Sequence, residues 1–332
     1  MTDQADFARL TGPYRAELLA HCYRMLGSVH DAEDQVQETL IRAWRSYGEF
    51  EGRASLRTWL YKIATNTCLR ALENRGRRPL PSGLGAPGTN SDGPLAAGHG
   101  EVPWLEPIPD ALMRADPADP ASVVVSRASL RLALIAALQY LPARQRAVLI
   151  LRDVLQWRAS EVADLLGTTP TAVNGLLLRA RSRIEQAGLA QDDIREPAET
   201  SQRALLDRYA LAFENADASA LSRLLREDAT LEMPPMLTWF AGRDRIGRFL
   251  STWVLGQPGD FKLVPITANT QPGFACYLRG RDGHHHAHAV QVLTVADDGV
   301  THIVSFNQPE LFPVFGLPRV LPVATGSARP LR

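Results

Sequence analysis

The sequence predicts a multidomain protein in which two all-α domains, a helical bundle and a helix-turn-helix domain, precede an α+β domain. A chain of 332 residues is long enough for two or three domains. Apolar residues recur at helical spacing on both sides of residues 80–121, and strand-like alternation begins only beyond about residue 227. Residues 80–121 are rich in Pro, Gly, Ala and Asp and carry too little apolar surface to fold alone. We therefore expect domains at 5–79, 122–188 and 200–320, with 80–121 as a linker.

The charges of the chain balance overall but are strongly segregated. Lys and Arg together number 36, as do Asp and Glu, which excludes a uniformly basic binder and an acidic disordered protein. Residues 53–80 carry seven basic residues and one acidic residue, and residues 127–187 carry nine and four. Basic blocks are typical of phosphate contacts, although a solvated helix face has the same composition. Nucleic-acid binding and a solvated surface both stay open on charge alone.

Several classes of protein are excluded by what the sequence lacks. No run of about 18 apolar residues predicts a membrane span, and the polar N-terminus does not predict a signal peptide. Cys22, Cys68 and Cys276 are too few and too scattered for a disulfide framework or a zinc site. We expect a cytoplasmic protein with no cofactor and no metal.

The first domain reads as a small helical bundle. Its first apolar stripe consists of Leu10, Leu18, Cys22 and Met25. A second helix is predicted over 30–46, with an acidic first turn that suits the positive end of the helix dipole. A loop at 50–53 then leads to a basic helix predicted over 55–75.

The second domain carries the most specific local pattern. Helices are predicted over 127–141, 144–155 and 160–166, followed by Gly167, by Thr169 as an N-cap and by Pro170 as the first residue of a helix that runs to 186. Two helices joined by a short turn with Gly form a helix-turn-helix. The predicted packed face of the last helix is Val173, Leu177, Ala180 and Ile184, and the polar stripe able to meet base edges is Thr171, Asn174 and Arg181, flanked by Arg179 and Arg183 as phosphate contacts. A plain helical hairpin with a basic face is the alternative, and the spacing favours DNA binding.

Three segments resemble bacterial sigma factors of the sigma-70 family. The run DAEDQVQETLIRAW at 31–44 resembles their core-polymerase-binding helix, and LRTWLYKIATN at 56–66 resembles the promoter −10 helix of the extracytoplasmic-function (ECF) group. Residues 141–183 resemble the ECF −35-binding domain, in the family's order. The resemblance implies a sigma factor that binds core RNA polymerase and promoter DNA to direct promoter-specific transcription initiation. Trp104 to Pro107 resembles the linker motif of ECF members that carry a fused C-terminal domain, where an exposed Trp104 would anchor a partner.

The resemblance also implies roles for individual residues. The polymerase-binding residues would be Asp31, Asp34, Gln35 and Glu38. The −10 element, partly as a melted strand, would be bound by Phe50, Arg53, Arg57, Lys62, Asn66 and Arg70. The −35 element would be read or gripped by Thr171, Asn174, Arg179 and Arg181. Trp59 is either core or a stacking platform, and Gly175, which costs roughly 1 kcal/mol relative to Ala in a helix, either admits DNA closely or is merely tolerated.

The C-terminal part predicts helices followed by strands. Helices are expected over 201–213, 218–225 and 243–254, and strands over 229–233, 261–268, 274–279, 286–294 and 301–306, which is typical of an α+β cone over a curved sheet. The segments 232–243 and 309–318 resemble the SnoaL-like, NTF2-like domain that is fused to some sigma factors. Its candidate pocket residues are Met233, Trp239, Phe249, Trp253 and Phe306, which would serve equally well as solid core.

No group of residues predicts catalysis in this C-terminal part, so we do not expect an enzyme. Asp228, Glu232, Arg243 and Asp244 are explained by surface or capping roles. In a strand, His284, His286 and His288 would share one face with metal-ligand spacing, but they follow a turn signal, which favours a solvated hairpin. The domain is expected to modulate sigma activity by docking. The alternative is a bifunctional protein whose C-terminal domain binds or turns over a small molecule and couples this to transcription.

Overall fold

The computed structural model describes residues 4–52, 54–73, 76–91, 93, 95, 102–113, 129–186 and 199–321. They form two units. The first consists of residues 1–80, 101–193 and 268–270, and the second of 81–100, 194–267 and 271–332. Both predicted helical domains therefore belong to one unit, and the predicted linker is divided between the two units. The reason is that residues 102–110 are not a free connection but pack within the first unit.

The first unit is helical. Its helices are α1 Gln4–Thr11, α2 Arg15–Leu26, α3 Val29–Ser46, α4 Leu56–Glu73, α5 Leu132–Leu138, α6 Ala143–Leu149, α7 Ala159–Leu166 and α8 Pro170–Gln186. A π-helical turn, Ile150–Val154, continues α6. Every residue from Leu18 to Leu26 is buried, so α2 is surrounded by the rest of the unit. The predicted helix over 127–141 is shorter in the structure, where it begins at Leu132, and its predicted start at Arg127 lies outside the described residues.

Local capping chemistry sets several of these helix ends. The Ser28 hydroxyl accepts a hydrogen bond from the Asp31 backbone N–H at 3.1 Å and starts α3. Gly27 and Gly167 end α2 and α7 with φ values of 69° and 62°, the left-handed region that favours glycine. The Thr169 hydroxyl accepts from the Ala172 N–H at 3.2 Å, which confirms the predicted N-cap of α8.

The second unit has the predicted α+β class. Its helices are α9 Glu199–Glu214, α10 Ala218–Leu224 and α11 Arg243–Phe249, and its strands are β1 Leu225–Glu232, β2 Trp239–Ala241, β3 Phe261–Ala268, β4 Gln271–Arg279, β5 His285–Ala296 and β6 Gly299–Phe306. The strand order is β2-β1-β6-β5-β4-β3. Strands β1 and β6 are parallel, whereas β1–β2, β4–β5 and β5–β6 pair antiparallel. The sequence analysis missed β2, since three residues are too few to show alternation.

Aromatic residues dominate the core of the second unit. Tyr209 of α9 stacks on Phe274 of β4 with ring centroids 5.7 Å apart. Phe240 of β2 meets Phe249 of α11 at 4.6 Å. These pairs belong to one cluster of buried residues that joins the helices to the sheet. A short 3-10 helix, Pro309–Phe315, packs its Phe312 against Tyr277 of β4 at 4.9 Å.

Candidate polymerase and promoter interface

The helix-turn-helix presents its predicted DNA-reading side chains to solvent. Thr171, Asn174, Arg179 and Arg181 are all exposed on α8 and are called the −35 face below. The opposite side of α8 is packed, because Val173, Leu177 and Ala180 are buried, and the fourth predicted member, Ile184, is half-buried. The predicted division of α8 into a packed side and a polar side is therefore confirmed. Whether the −35 face contacts DNA stays a prediction.

One member of the −35 face has a partner within its own unit. Arg181 donates from Nε and Nη2 to the two carboxylate oxygens of Asp153, at 3.0 and 2.7 Å. This hydrogen-bonded pair raises the pKa of Arg181 above its ordinary value. Asp153 lies in the π-helical turn after α6, 28 residues earlier in the chain. Sequence spacing gave no sign of this pairing.

The sequence analysis overlooked Leu178 on the same helix. This side chain is 72% exposed, and it lies four residues after Asn174 and three before Arg181, within the polar stripe. An exposed apolar group at this place has the chemistry to contact the methyl group of thymine. The missed signal was a single Leu at helical spacing between polar residues.

The basic helix α4 separates its predicted −10 residues onto different sides. Lys62 and Arg70 are exposed and Asn66 is half-buried, at a spacing of four residues that places them on one side, called the −10 face below. Arg57 is engaged elsewhere: its Nη2 lies 2.7 Å from Glu17 Oε2, and its guanidinium sits 5.0 Å from the centre of the Tyr61 ring. The prediction for Arg53 lies outside the described residues.

An aromatic group lies at the start of α4. The Phe50 ring is 4.8 Å from Trp59 and 6.2 Å from Tyr47, and Tyr47 is 5.2 Å from Phe7. Phe50 and Trp59 are both half-buried. Each ring therefore packs in the bundle and still exposes part of its surface, which is compatible with both alternatives stated for Trp59.

The predicted polymerase-binding residues differ in how accessible they are. Asp34 is exposed on α3, and Gln35 and Glu38 are half-buried close to it. Asp31 is instead held by Arg78 at 2.5 Å, and these two side chains are only 13% and 16% exposed. Arg78 also donates to the backbone carbonyl of Trp104 at 2.8 Å. Asp31 therefore forms a structural ion pair with Arg78.

The segment around Trp104 is buried rather than free. The expectation of an exposed Trp104 is wrong: this residue is 6% exposed, and Leu105 and Ile108 are fully buried. The Tyr23 hydroxyl donates to the Glu106 carbonyl at 2.8 Å, and the Ser28 hydroxyl donates to the Glu106 carboxylate at 2.6 Å. A segment rich in acidic residues and Pro can still bury its apolar side chains when the rest of the unit offers them an apolar surface.

A fully buried asparagine joins three segments of the first unit. Asn269, at a φ of 55°, accepts a hydrogen bond from the Ile108 N–H at 3.1 Å. Its amide nitrogen donates to the Tyr23 hydroxyl and to the Leu130 carbonyl, both at 2.8 Å. The neighbouring Thr270 N–H donates to Asp110 at 2.8 Å. Sequence reasoning did not single out this turn.

A buried arginine connects the two predicted helical domains. Arg146 of α6 donates to the Met25 carbonyl at the end of α2, to the Gln139 side chain at 2.9 Å and to the Leu141 carbonyl at 3.2 Å. Burial lowers the pKa of Arg146 to about 10. The carbonyl partners compensate for its removal from water and fix α6 against α2.

In the second unit the candidate pocket residues have different surroundings. Met233 and Phe249 belong to the hydrophobic core, Phe306 is fully buried, and Trp253 is 52% exposed. Trp239 is half-buried, and its indole N–H donates to the Gly85 carbonyl at 2.8 Å. Met233, Phe249 and Phe306 therefore fit the alternative of solid core, whereas Trp239 and Trp253 lie nearer the surface.

The titratable residues of the second unit are held in separate structural contacts. Glu232 is buried, its Oε1 lies 2.9 Å from His302 Nε2, and its Oε2 accepts from the Ser82 N–H at 2.7 Å. The His285 ring bonds to the Gly259 carbonyl, and that of His286 to Asp282. Within the described residues no three His, Cys, Asp or Glu side chains form a metal-binding group, and no helix is long and apolar enough to cross a membrane.

Comparisons with known proteins match both helical regions. Residues 10–78 match the family described as Sigma-70 region 2, and residues 131–184 match Sigma-70, region 4. The ECF RNA polymerase sigma factor SigG of Mycobacterium tuberculosis (strain ATCC 25618 / H37Rv) is 51% identical over 317 residues, which are 95% of this chain and 85% of the relative. SigJ of the same strain is 28% identical over 311 residues, 90% of each chain.

A solved structure shares the fold. The crystal structure of the M. tuberculosis extracytoplasmic function sigma factor SigJ has a TM-score of 0.61 and 24% sequence identity, covering 94% of this chain and 99% of that one. It supports the two helical regions followed by the α+β domain. The identity to SigG over nearly the whole chain is decisive, and this chain belongs to the ECF RNA polymerase sigma factors.

Proposed function

We propose that this chain binds core RNA polymerase through Asp34, Gln35 and Glu38 and directs initiation at promoters through its −10 and −35 faces. It acts in the cytoplasm and performs no chemistry of its own. The observation that carries the proposal is the exposed −35 face on a well-capped helix-turn-helix, opposite a packed side. Leu178 joins this face as a contact for a thymine methyl group.

The first unit is proposed to be in an inactive conformation, in which part of the polymerase-binding surface is occupied by contacts within the unit. Asp31 is held by Arg78, so it is unavailable to a partner until the 102–110 segment moves. Asn269 is bonded to α2, to Ile108 and to Leu130 at once, so it restrains the segments that must separate. The turn at 268–270, which belongs to the first unit, thereby restrains sigma activity.

Run-off transcription with purified core RNA polymerase tests both statements on the full chain. Promoter fragments selected by binding serve as templates, and Asn269→Ala is compared with Asn215→Ala, which changes an exposed asparagine. We expect initiation by every form and several-fold more transcript from the Asn269→Ala chain. Each preparation is first shown to be folded by circular dichroism.

The two parts of the proposal fail in different ways. Absence of initiation by every folded form would reject the promoter-directing function. Equal transcript from the Asn269→Ala and Asn215→Ala chains would leave that function standing and reject the restraint by Asn269.

A further inference from the structure

A basic cleft lies between α10 and α11 in the second unit. Its volume is about 580 Å³, and its wall includes Arg223, Arg243 and Arg248 together with the hydroxyls of Ser219, Ser222 and Ser251. We call it the arginine cleft. The promoter-binding proposal does not use it, and it lies outside the apolar core on which the candidate pocket was predicted.

The guanidinium groups of the cleft are only weakly committed to other partners. Arg223 Nη1 donates to the Ser219 hydroxyl at 2.7 Å, a neutral partner one turn away on the same helix. Arg243 lies 3.7 Å from Glu227, whose side chain is 90% exposed, so this ion pair is weak. Arg248 has no ion pair among the residues that the structure describes. Much of their hydrogen-bonding capacity therefore remains available to a ligand.

The floor of the cleft depends on a glycine. A Cβ atom on Gly247 would lie 3.2 Å from Ser222 Oγ and 3.3 Å from Ser222 Cβ, closer than ordinary contacts. Only glycine lets α10 and α11 approach this closely without displacing Ser222. The close approach brings the serine hydroxyls of one helix and the arginines of both into one concave surface.

We propose that the arginine cleft binds a small ligand bearing phosphate groups, of the nucleoside diphosphate class. Arginine forks bind phosphate oxygens through paired hydrogen bonds, and the serine hydroxyls add neutral donors. Asp244, which also lines the cleft, offers an acceptor for a sugar hydroxyl.

The surrounding charges favour a small anion over a nucleic-acid backbone. Glu227 of β1, whose side chain is 90% exposed, lies 3.7 Å from Arg243, and Asp244 also lines the cleft. A long polyanion that crossed the cleft would meet both carboxylates, whereas a compact ligand can bind the arginines and leave these carboxylates beside it.

Isothermal titration calorimetry on the full chain tests this site, with inorganic pyrophosphate and ADP as separate probes. We expect both to bind, and ADP more tightly than pyrophosphate, because Asp244 can accept a hydrogen bond from its ribose. Arg248→Ala should weaken binding by roughly tenfold or more, since a charge-assisted fork is lost. Arg248→Lys should restore part of the affinity because it keeps the charge without the fork. The matched control is Arg208→Ala, an exposed arginine on α9.

Three outcomes would overturn the proposal. They are no binding of either probe at millimolar concentration, equal losses in Arg208→Ala and Arg248→Ala, or displacement of pyrophosphate by non-specific duplex DNA with the Arg248 dependence retained. The Arg248→Lys chain keeps the test valid if Arg248→Ala is poorly folded, as judged by circular dichroism. Absence of ligand binding at the arginine cleft would leave the proposal of promoter-directed initiation standing, because the transcription assay tests different residues.

Discussion

Arg181 of α8 and Asp153 in the π-helical turn after α6 form a two-point ion pair, with contacts of 3.0 and 2.7 Å. The pair is partly solvated, because 56% of the Arg181 side chain and 31% of the Asp153 side chain are exposed. Such pairs contribute about 0–1 kcal/mol to stability. A guanine base edge offers arginine the same bidentate chemistry, so we expect promoter DNA to compete with Asp153 for Arg181.

Asp153→Asn should therefore strengthen binding to a −35 duplex. Removing the carboxylate frees Arg181 and removes a negative charge beside the DNA, so we expect roughly a two- to fivefold gain in affinity at moderate salt. The free energy of unfolding should change by less than about 1 kcal/mol. Fluorescence anisotropy measures the affinity, and Asp164→Asn, on α7, is the control. A loss of affinity in the Asp153→Asn chain would show that the pair positions Arg181 for reading.

Gly175→Ala should stabilise the first unit. Among the described residues, a Cβ atom at this position would meet the Arg179 guanidinium, at ordinary contact distances of 3.5 Å from Nη1 and 4.0 Å from Nη2. Replacing a helix-interior glycine by alanine gains roughly 1 kcal/mol. Urea denaturation measures this gain, and −35 affinity should stay within about twofold. A tenfold weaker affinity in a stabilised protein would instead assign Gly175 to close approach of DNA.

His21 should make the first unit sensitive to mild acid. Burial, with Arg24 adding to it, lowers the pKa of His21 from 6.5 to about 3, and its Nε2 lies 3.0 Å from the Thr65 hydroxyl. Between pH 6.5 and about pH 3, His21 is protonated in the unfolded chain but neutral in the folded chain. The free energy of unfolding should thus fall by about 1.4 kcal/mol per pH unit in this window.

Urea denaturation at a series of pH values measures that slope. His21→Gln should reduce the slope of the free energy of unfolding against pH by the equivalent of one proton. His284→Gln, which changes an exposed histidine, should leave that slope unchanged. Identical slopes in the two variants would contradict the assignment to His21.

Glu232 should stabilise the second unit only at pH values where its carboxyl group is ionised. Burial raises the pKa of Glu232, but the hydrogen bonds from His302 and from the Ser82 N–H outweigh it and leave the pKa below its ordinary value of 4.5. This stabilisation is complete above pH 4.5 and is lost as pH falls through the lowered pKa. Glu232→Gln should cost about 1–3 kcal/mol at neutral pH, because charged acceptors are lost from a buried site.

Calorimetry of the full chain checks this pH dependence. The melting temperatures of the native and Glu232→Gln chains should differ at pH 7 and converge below pH 4.5. Glu310→Gln, an exposed position, should match the native chain throughout. A constant difference at all pH values would mean that ionisation of Glu232 is irrelevant.

The features that could be predicted from the sequence are those with local causes. Gly167, Thr169 and Pro170 set the turn of the helix-turn-helix through backbone conformation and capping within a few residues. The spacing of Val173, Leu177 and Ala180 identified the packed side of α8, because a single helix fixes which residues share a face. The −35 face and the order of helices and strands followed from the same local rules.

Only the tertiary structure decided which of these side chains are free. Asp31 and Arg78 are 47 residues apart in sequence, and Asn269 and Tyr23 are 246 apart, so no local pattern pairs them. The burial of Trp104 likewise depends on a surface that distant residues build. Helix periodicity and caps are determined within one or two turns of chain, whereas burial and ion pairing are determined by which distant segments pack together. The sequence by itself therefore determined the elements and the family, and the packed chain decided the availability of its functional residues.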